Sequence, residues 1–140
     1  MALAFWLAYK FPAGTIQWRP HVCFILGIFL IIAGVLFCWY AIHLLGESFT
    51  RNLAVHGGQK VVRAGPYHYI RHPSYMGMLL SLLGIGLALG NWASLMVLVL
   101  IKFAGLLYRV SQEERALCEV LGQPYLEYML HTWRFIPYIF

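Results

Sequence analysis

The sequence predicts an all-α integral membrane protein: a helical bundle of about three transmembrane helices, the last two a tight hairpin, followed by a cytosolic amphipathic helix. Three observations carry this expectation. Of the 140 residues, 61% are hydrophobic and 11% charged, against a globular norm of roughly 45–50% and 25%. A single domain of 16.1 kDa has too little interior to hide so much apolar surface from water. The charges, finally, sit mainly between long apolar runs. The same composition excludes intrinsic disorder.

Taken in order, Met1–Tyr9 is apolar, too short to span and without a basic leader region, so residues 1–21 read as an interfacial segment rather than a signal peptide. Val22–Leu45 is 24 residues without Lys, Arg, Asp or Glu. At 1.5 Å per residue it reaches about 36 Å, enough for a hydrocarbon core of ~30 Å. Gly27, Ala33, Gly34 and Ala41 supply small residues for close helix packing, and Trp39 and Tyr40 suit an interfacial end. Pro73–Ile101 is a further 29 residues without a charge, interrupted by the turn signal Gly90-Asn91. That divides it into helices of about Pro73–Leu89 and Trp92–Tyr108, with Pro73 placed where an initial helical turn tolerates proline. Lys102 is expected to snorkel or to face the bundle. Arg109–Leu121 keeps a helical pattern that prolongs the third helix until Gly122 and Pro124, and Tyr125–Leu130 reads as a short amphipathic piece.

The charge balance is +5, from ten Lys and Arg against five Glu. Seven of those positives (Arg51, Lys60, Arg63, Arg71, Arg109, Arg115 and Arg134) lie in the segment 46–72 and the tail 109–140, and two precede the first span. If the chain doubles back at Gly90-Asn91, segment and tail share one side, and the positive-inside rule makes it cytoplasmic. The basic residues thus read as topology markers and headgroup contacts; no basic stripe or motif supports nucleic-acid binding. Cys23, Cys38 and Cys118 form no C-x-x-C pair and no metal spacing, and read as buried or free thiols.

Three features exceed a generic bundle: the turn-rich Val61-Val62-Arg63-Ala64-Gly65-Pro66-Tyr67, the polar cluster Arg71-His72-Pro73-Ser74-Tyr75-Met76-Gly77 opening the second helix, and Arg109 with Glu113 four residues on. Singly each has a plain account. Arg71 can bind lipid phosphate, His72 can cap or pair at the helix start, and Tyr75 can anchor at the interface. Arg109 and Glu113 share a helix face as an ion pair, while Glu114 and Arg115 read as solvated surface charges. Together, on one membrane face, they form a constellation of His, Tyr, Arg and Glu around a glycine-bearing loop, where ionisable groups are costly unless paired or functional.

In this order and spacing the motifs V-V-R-A-G-P-Y, R-H-P-S-Y-M-G and R-V-S-Q-E-E, with the closing G-Q-P-Y-L-E-Y and R-F-I-P, resemble the isoprenylcysteine carboxyl methyltransferases and related membrane phospholipid methyltransferases. The resemblance runs from about Gln59 to the C-terminus, and the compact layout is most similar to bacterial members. It implies one domain over residues 1–140, with a membrane helix at 22–45, a cytosolic cofactor loop at 46–72, a hairpin at 73–108 and a cytosolic tail. It further implies S-adenosylmethionine as cofactor, contacted by Gln59, Val61, Val62, Tyr67, His72, Pro73, Ser74, Tyr75 and Glu113. Arg109 then falls where the family places an acceptor-contacting arginine. A multi-pass protein of a bacterial inner membrane, with its site facing the cytoplasm, follows from the same resemblance.

The residue types suit that chemistry. Methyl transfer from a sulfonium is an in-line displacement, so a catalyst chiefly aligns the partners. Tyr67 and Tyr75 offer aromatic faces to a cation, and Arg109 offers a fork to a carboxylate. A carboxylate acceptor needs no base. A lipid amine needs one, for which His72 and Glu113 are candidates. The apolar surroundings imply a lipophilic acceptor arriving through the bilayer. Rival readings are an NADPH-dependent sterol-reductase-like enzyme, favoured less because of the proline in R-H-P-S-Y, and a non-enzymatic membrane scaffold. A metal site on His68 and His72 lacks the further histidine clusters that a membrane di-iron enzyme needs.

Overall fold

The computed structural model describes residues 19–46 and 61–136, and within these the regular structure is helical apart from one isolated bridge. The order is α1 (Pro20–Leu45), a short 3-10 turn (Gly65–His68), α2 (Pro73–Ala88), α3 (Trp92–Leu121) and α4 (Gln123–Leu130). The expected helices are all present, with ends shifted by one or two residues. The expectation for Met1–Tyr9, and the residue Gln59, lie outside the described residues.

The chain divides into two compact units. In the first, residues 19–36 and 77–106, helices approach through small residues. Gly27 and Gly34 are buried on α1 while Ile25 and Phe29 beside them are 67% and 66% exposed. On α2, a Cβ placed on Gly84 would lie 2.6 Å from the carbonyl oxygen of Gly27 and 2.8 Å from the amide of Ile31. Gly27 and Gly34, like Gly77 and Gly84, are seven residues apart, so each pair recurs on one helix face and two backbones can run in contact. Ser81 sits in the same seam, its hydroxyl donating to the carbonyl of Gly77 at 3.0 Å. The reversal falls at Gly90, whose φ of +62° is the left-handed conformation glycine adopts without a Cβ penalty. Its amide closes on Leu87 O at 3.0 Å, and Asn91 lies fully buried ahead of α3.

The apolar side chains on the outside of these helices make the protein an integral membrane one. Ile25, Phe29 and Trp39 on α1 and Leu100 and Ile101 on α3 are all more than half exposed, as suits helices that face lipid. Two helices have the length and composition to cross: α1 and the stretch Leu95–Leu121 of α3. The third expected span is shorter, because Pro73 opens α2 and Gly90 closes it. Its 16 residues reach about 24 Å, less than the ~30 Å of a hydrocarbon core. Lys102 is exposed.

The second unit is 37–46, 61–76 and 107–136. Here the 61–72 segment is held by its backbone and by tyrosines. Tyr67 is buried and donates its hydroxyl to Ala41 O at 3.2 Å, while its own carbonyl accepts from Tyr128 of α4 at 2.6 Å. Burial, opposed by the charges of Arg71 and Arg63, pushes the Tyr128 phenol up to about 12, so it stays a neutral donor at physiological pH. The tail pairs alongside: Ile70 and Trp133 form a parallel bridge. The amides of Arg71 and His72 donate to Trp133 O (2.7 Å) and Arg134 O (3.1 Å).

The helix seam makes a direct prediction. Gly→Ala inside a helix normally gains about 1 kcal/mol of propensity, which should leave Gly105→Ala unchanged or stabilised, since nothing lies within 4 Å of its Cβ position. In Gly84→Ala the clash with two backbone atoms of α1 should outweigh that gain by about 1–3 kcal/mol. Thermal unfolding in detergent micelles should show the second variant melting several degrees lower than the first; equal midpoints would contradict the seam.

Candidate active site

The site grows from the junction of α2 with the segment before it. Pro73 fixes the first turn of α2 and is fully buried, and Arg71 and His72 just before it are already bonded to the tail through their amides. Three basic side chains then converge on one carboxylate, that of Glu114, which is only 3% exposed. Arg71 Nε donates to Oε1 at 2.9 Å, and its Nη1 donates to the carbonyls of Met129 (2.9 Å) and Thr132. From the tail, Arg134 reaches Oε2 through Nε at 3.0 Å and Nη2 at 2.9 Å. His72 Nε2 lies 3.3 Å from Oε1.

This corrects the expectation for Glu114. It is not a solvated surface charge but the most enclosed carboxylate among the described residues, while Arg115 beside it is exposed as expected. The reason is helical phase. Leu106, Val110, Glu114 and Leu117 recur at four, four and three residues along α3, so Glu114 occupies a core position of the apolar stripe. A buried carboxylate is tolerated only when paired and hydrogen-bonded, and Arg71, His72 and Arg134 supply that. Arg71 is correspondingly spoken for within the protein and is not directed at a lipid phosphate.

A second, more open layer lies on the neighbouring face of α3. Tyr75 donates its hydroxyl to Glu113 Oε2 at 3.0 Å and accepts from Arg109 Nε at 2.9 Å. Arg109 and Glu113 are therefore joined through Tyr75 rather than paired directly across one helical turn. The Tyr75 ring stacks on His72 with centroids 5.7 Å apart, and the Phe135 ring, tilted against the imidazole, has its centroid 6.2 Å away. His72 thus touches both layers: its nitrogen faces Glu114 and its ring carries Tyr75.

Of the residues expected at a site, the structure brings together His72, Tyr75, Arg109 and Glu113, with Pro73 buried beneath them. Val61, Val62 and Ser74 are half-buried nearby in sequence, without a contact that assigns them a role. Tyr67 has its hydroxyl and carbonyl committed within the protein, which leaves its ring face. Sequence reasoning missed Glu114, and with it the work done by Arg71 and Arg134. The available signal was the glutamate lying within the stripe of Val110, Leu117 and Leu121.

A sequence model of the isoprenylcysteine carboxyl methyltransferase family matches residues 25–119, and the chain belongs to that family. It is 31% identical over 120 residues to protein-S-isoprenylcysteine O-methyltransferase of Saccharomyces cerevisiae, covering 84% of this chain and 50% of that protein. To protein-S-isoprenylcysteine O-methyltransferase A of Arabidopsis thaliana it is 32% identical over 117 residues, covering 81% and 58%. A third relative, from Schizosaccharomyces pombe, is 32% identical over 96 residues, covering 67% and 41%. The chain thus spans about half the length of the curated relatives it matches. These three are eukaryotic, so the compact bacterial type expected from the sequence draws no support from them.

The Glu114 cluster predicts a large loss when one partner is removed. Arg71→Met leaves a buried carboxylate short of a guanidinium and two carbonyls without their donor, a change costing about 3–5 kcal/mol. The expected result is a thermal midpoint lowered by well over five degrees in detergent, with Arg115→Met, at the exposed neighbour, within a degree of wild type.

Proposed function

We propose that this chain transfers a methyl group from S-adenosylmethionine to the carboxylate of a lipophilic acceptor, in the manner of the proteins it resembles, at the cytoplasmic face of its membrane. The observation that carries the reading is the Arg109–Tyr75–Glu113 chain, a cation and an anion held side by side by one hydroxyl. The named activity of the relatives and the membership of the family support it.

The residues fit the donor in kind. Glu113 has one carboxylate oxygen engaged by Tyr75 and the other uncommitted among the described residues, suited to ribose hydroxyls or an ammonium group. Tyr75 presents an aromatic ring suited to a sulfonium. Gln59, Val61, Val62, Tyr67, His72, Pro73 and Ser74 complete the proposed contact set. S-Adenosylmethionine, when bound, supplies an electrophilic methyl group on sulfur.

The chain's own contribution is to bind and orient. Arg109 is exposed, and its forked donors match an acceptor carboxylate. A carboxylate attacks through its own lone pair, so no residue has to remove a proton. An amine acceptor would require a base; of the two candidates His72 faces the Glu114 carboxylate, and Glu113 holds the Tyr75 hydroxyl through one of its oxygens. A cationic Arg109 would also repel an ammonium group. The site therefore favours carboxyl over amine methylation. The excess of Lys and Arg in the loop and tail supports the cytoplasmic side.

Incubating membranes with methyl-labelled S-adenosylmethionine should yield a lipophilic product whose label is released as methanol by mild base, as for a methyl ester. Base-stable label would mark N-methylation and contradict the carboxylate reading. In the purified protein, Glu113→Ala should weaken S-adenosylmethionine binding at least ten-fold by calorimetry; an unchanged affinity would remove Glu113 from the site.

A further inference from the structure

Tyr75 stands between the two charged residues of the proposed site, and its hydroxyl is used in both directions. A phenol has one proton to give and lone pairs to receive with. Here the proton goes to Glu113 Oε2 and a lone pair accepts from Arg109 Nε. The ring cannot drift, since it stacks on His72, itself in contact with the buried carboxylate of Glu114. Arg109 by contrast is exposed. An unpinned arginine there would sample many rotamers and lose that freedom on gripping a ligand. With Nε already engaged, the edge left to a ligand is the pair of terminal Nη nitrogens, which matches the two oxygens of a carboxylate.

We propose that Tyr75 is a positioning residue for the acceptor: its hydroxyl holds Arg109 by Nε so that the Nη edge meets the acceptor carboxylate already oriented. The inference rests on the methyl-transfer reading and deepens it, by giving the R-H-P-S-Y tyrosine a task on the acceptor side as well as the donor side. The hydroxyl, polarised by a cation on one side and an anion on the other, strengthens both bonds. Phenylalanine at this position keeps the ring and its stacking and loses only these two bonds.

The test is Tyr75→Phe in the full chain in lipid nanodiscs, with N-acetyl-S-farnesylcysteine as acceptor. KM for that acceptor should rise about ten-fold with kcat within about two-fold, since the lost contribution is to binding geometry. Because Tyr75 acts through Arg109, adding Tyr75→Phe to Arg109→Ala should leave KM where Arg109→Ala put it. An unchanged KM in Tyr75→Phe, or a full additional penalty on top of Arg109→Ala, overturns the proposal. A second readout needs no turnover. The Arg109 Nε–H resonance, assigned by its absence from Arg109→Lys, should exchange slowly with solvent in wild type and quickly in Tyr75→Phe; equal rates also overturn it. A protected Nε–H in a protein that never methylates the farnesylated probe supports the tie to Tyr75 and sinks the methyl-transfer reading instead.

Discussion

A single carboxylate, taken out of water and surrounded by cations, sets the geometry of the site-bearing part of this protein. Glu114 is buried on α3, and the positions of three other segments follow from how its charge is balanced. Arg71 comes from the strand-like stretch before α2, His72 from its threshold and Arg134 from the tail. Arg71 does more than neutralise. By donating also to the carbonyls of Met129 and Thr132, it joins the end of α4 to the same point. Removing two ions from water is expensive, and a buried pair is weak evidence of net stability. Its large effect is on what happens when a partner is missing, so the cluster fixes position more than it adds stability.

The open layer of the site inherits that order. His72 is held by Glu114 at its nitrogen and by Phe135 at its ring, Tyr75 stacks on His72, and Arg109 and Glu113 meet on the Tyr75 hydroxyl. Each group is oriented by one nearer the interior. A site that must align two reacting partners within a few tenths of an ångström needs such support, because a loosely held first contact layer loses most of the benefit of proximity. Adjacent glutamates thus divide two tasks between them. Glu114, in phase with the apolar stripe, is structural; Glu113, one hundred degrees around the helix, faces the open layer.

Much of this was legible before any coordinates. The apolar runs marked α1, α2 and α3, Gly90-Asn91 marked the reversal, and Gly122 with Pro124 marked the break before α4. Gly27, Ala33, Gly34 and Ala41 pointed to close helix packing. The R-H-P-S-Y and R-V-S-Q-E-E motifs pointed to a site and to His72, Tyr75, Arg109 and Glu113 within it. What escaped was long-range and depended on phase. Nothing local shows that Tyr75 reaches a residue 38 positions away, or that Arg134 closes on Glu114. Glu114 and Arg115 look alike as solvated charges until each is placed on the helix. Pro73 and Gly90-Asn91 had already bounded α2 in the sequence, and the helix ends one residue short of the expected Leu89.

The central claim is that Glu114 locks the pre-α2 segment to the tail. Hydrogen exchange followed by mass spectrometry on wild type and Glu114→Ala tests it most directly. The account predicts that protection falls sharply in peptides containing the amides of Arg71 and His72, which donate to Trp133 and Arg134, while the helical amides of 77–106 keep theirs. Unaltered protection at Arg71 and His72 in a folded Glu114→Ala protein would contradict it.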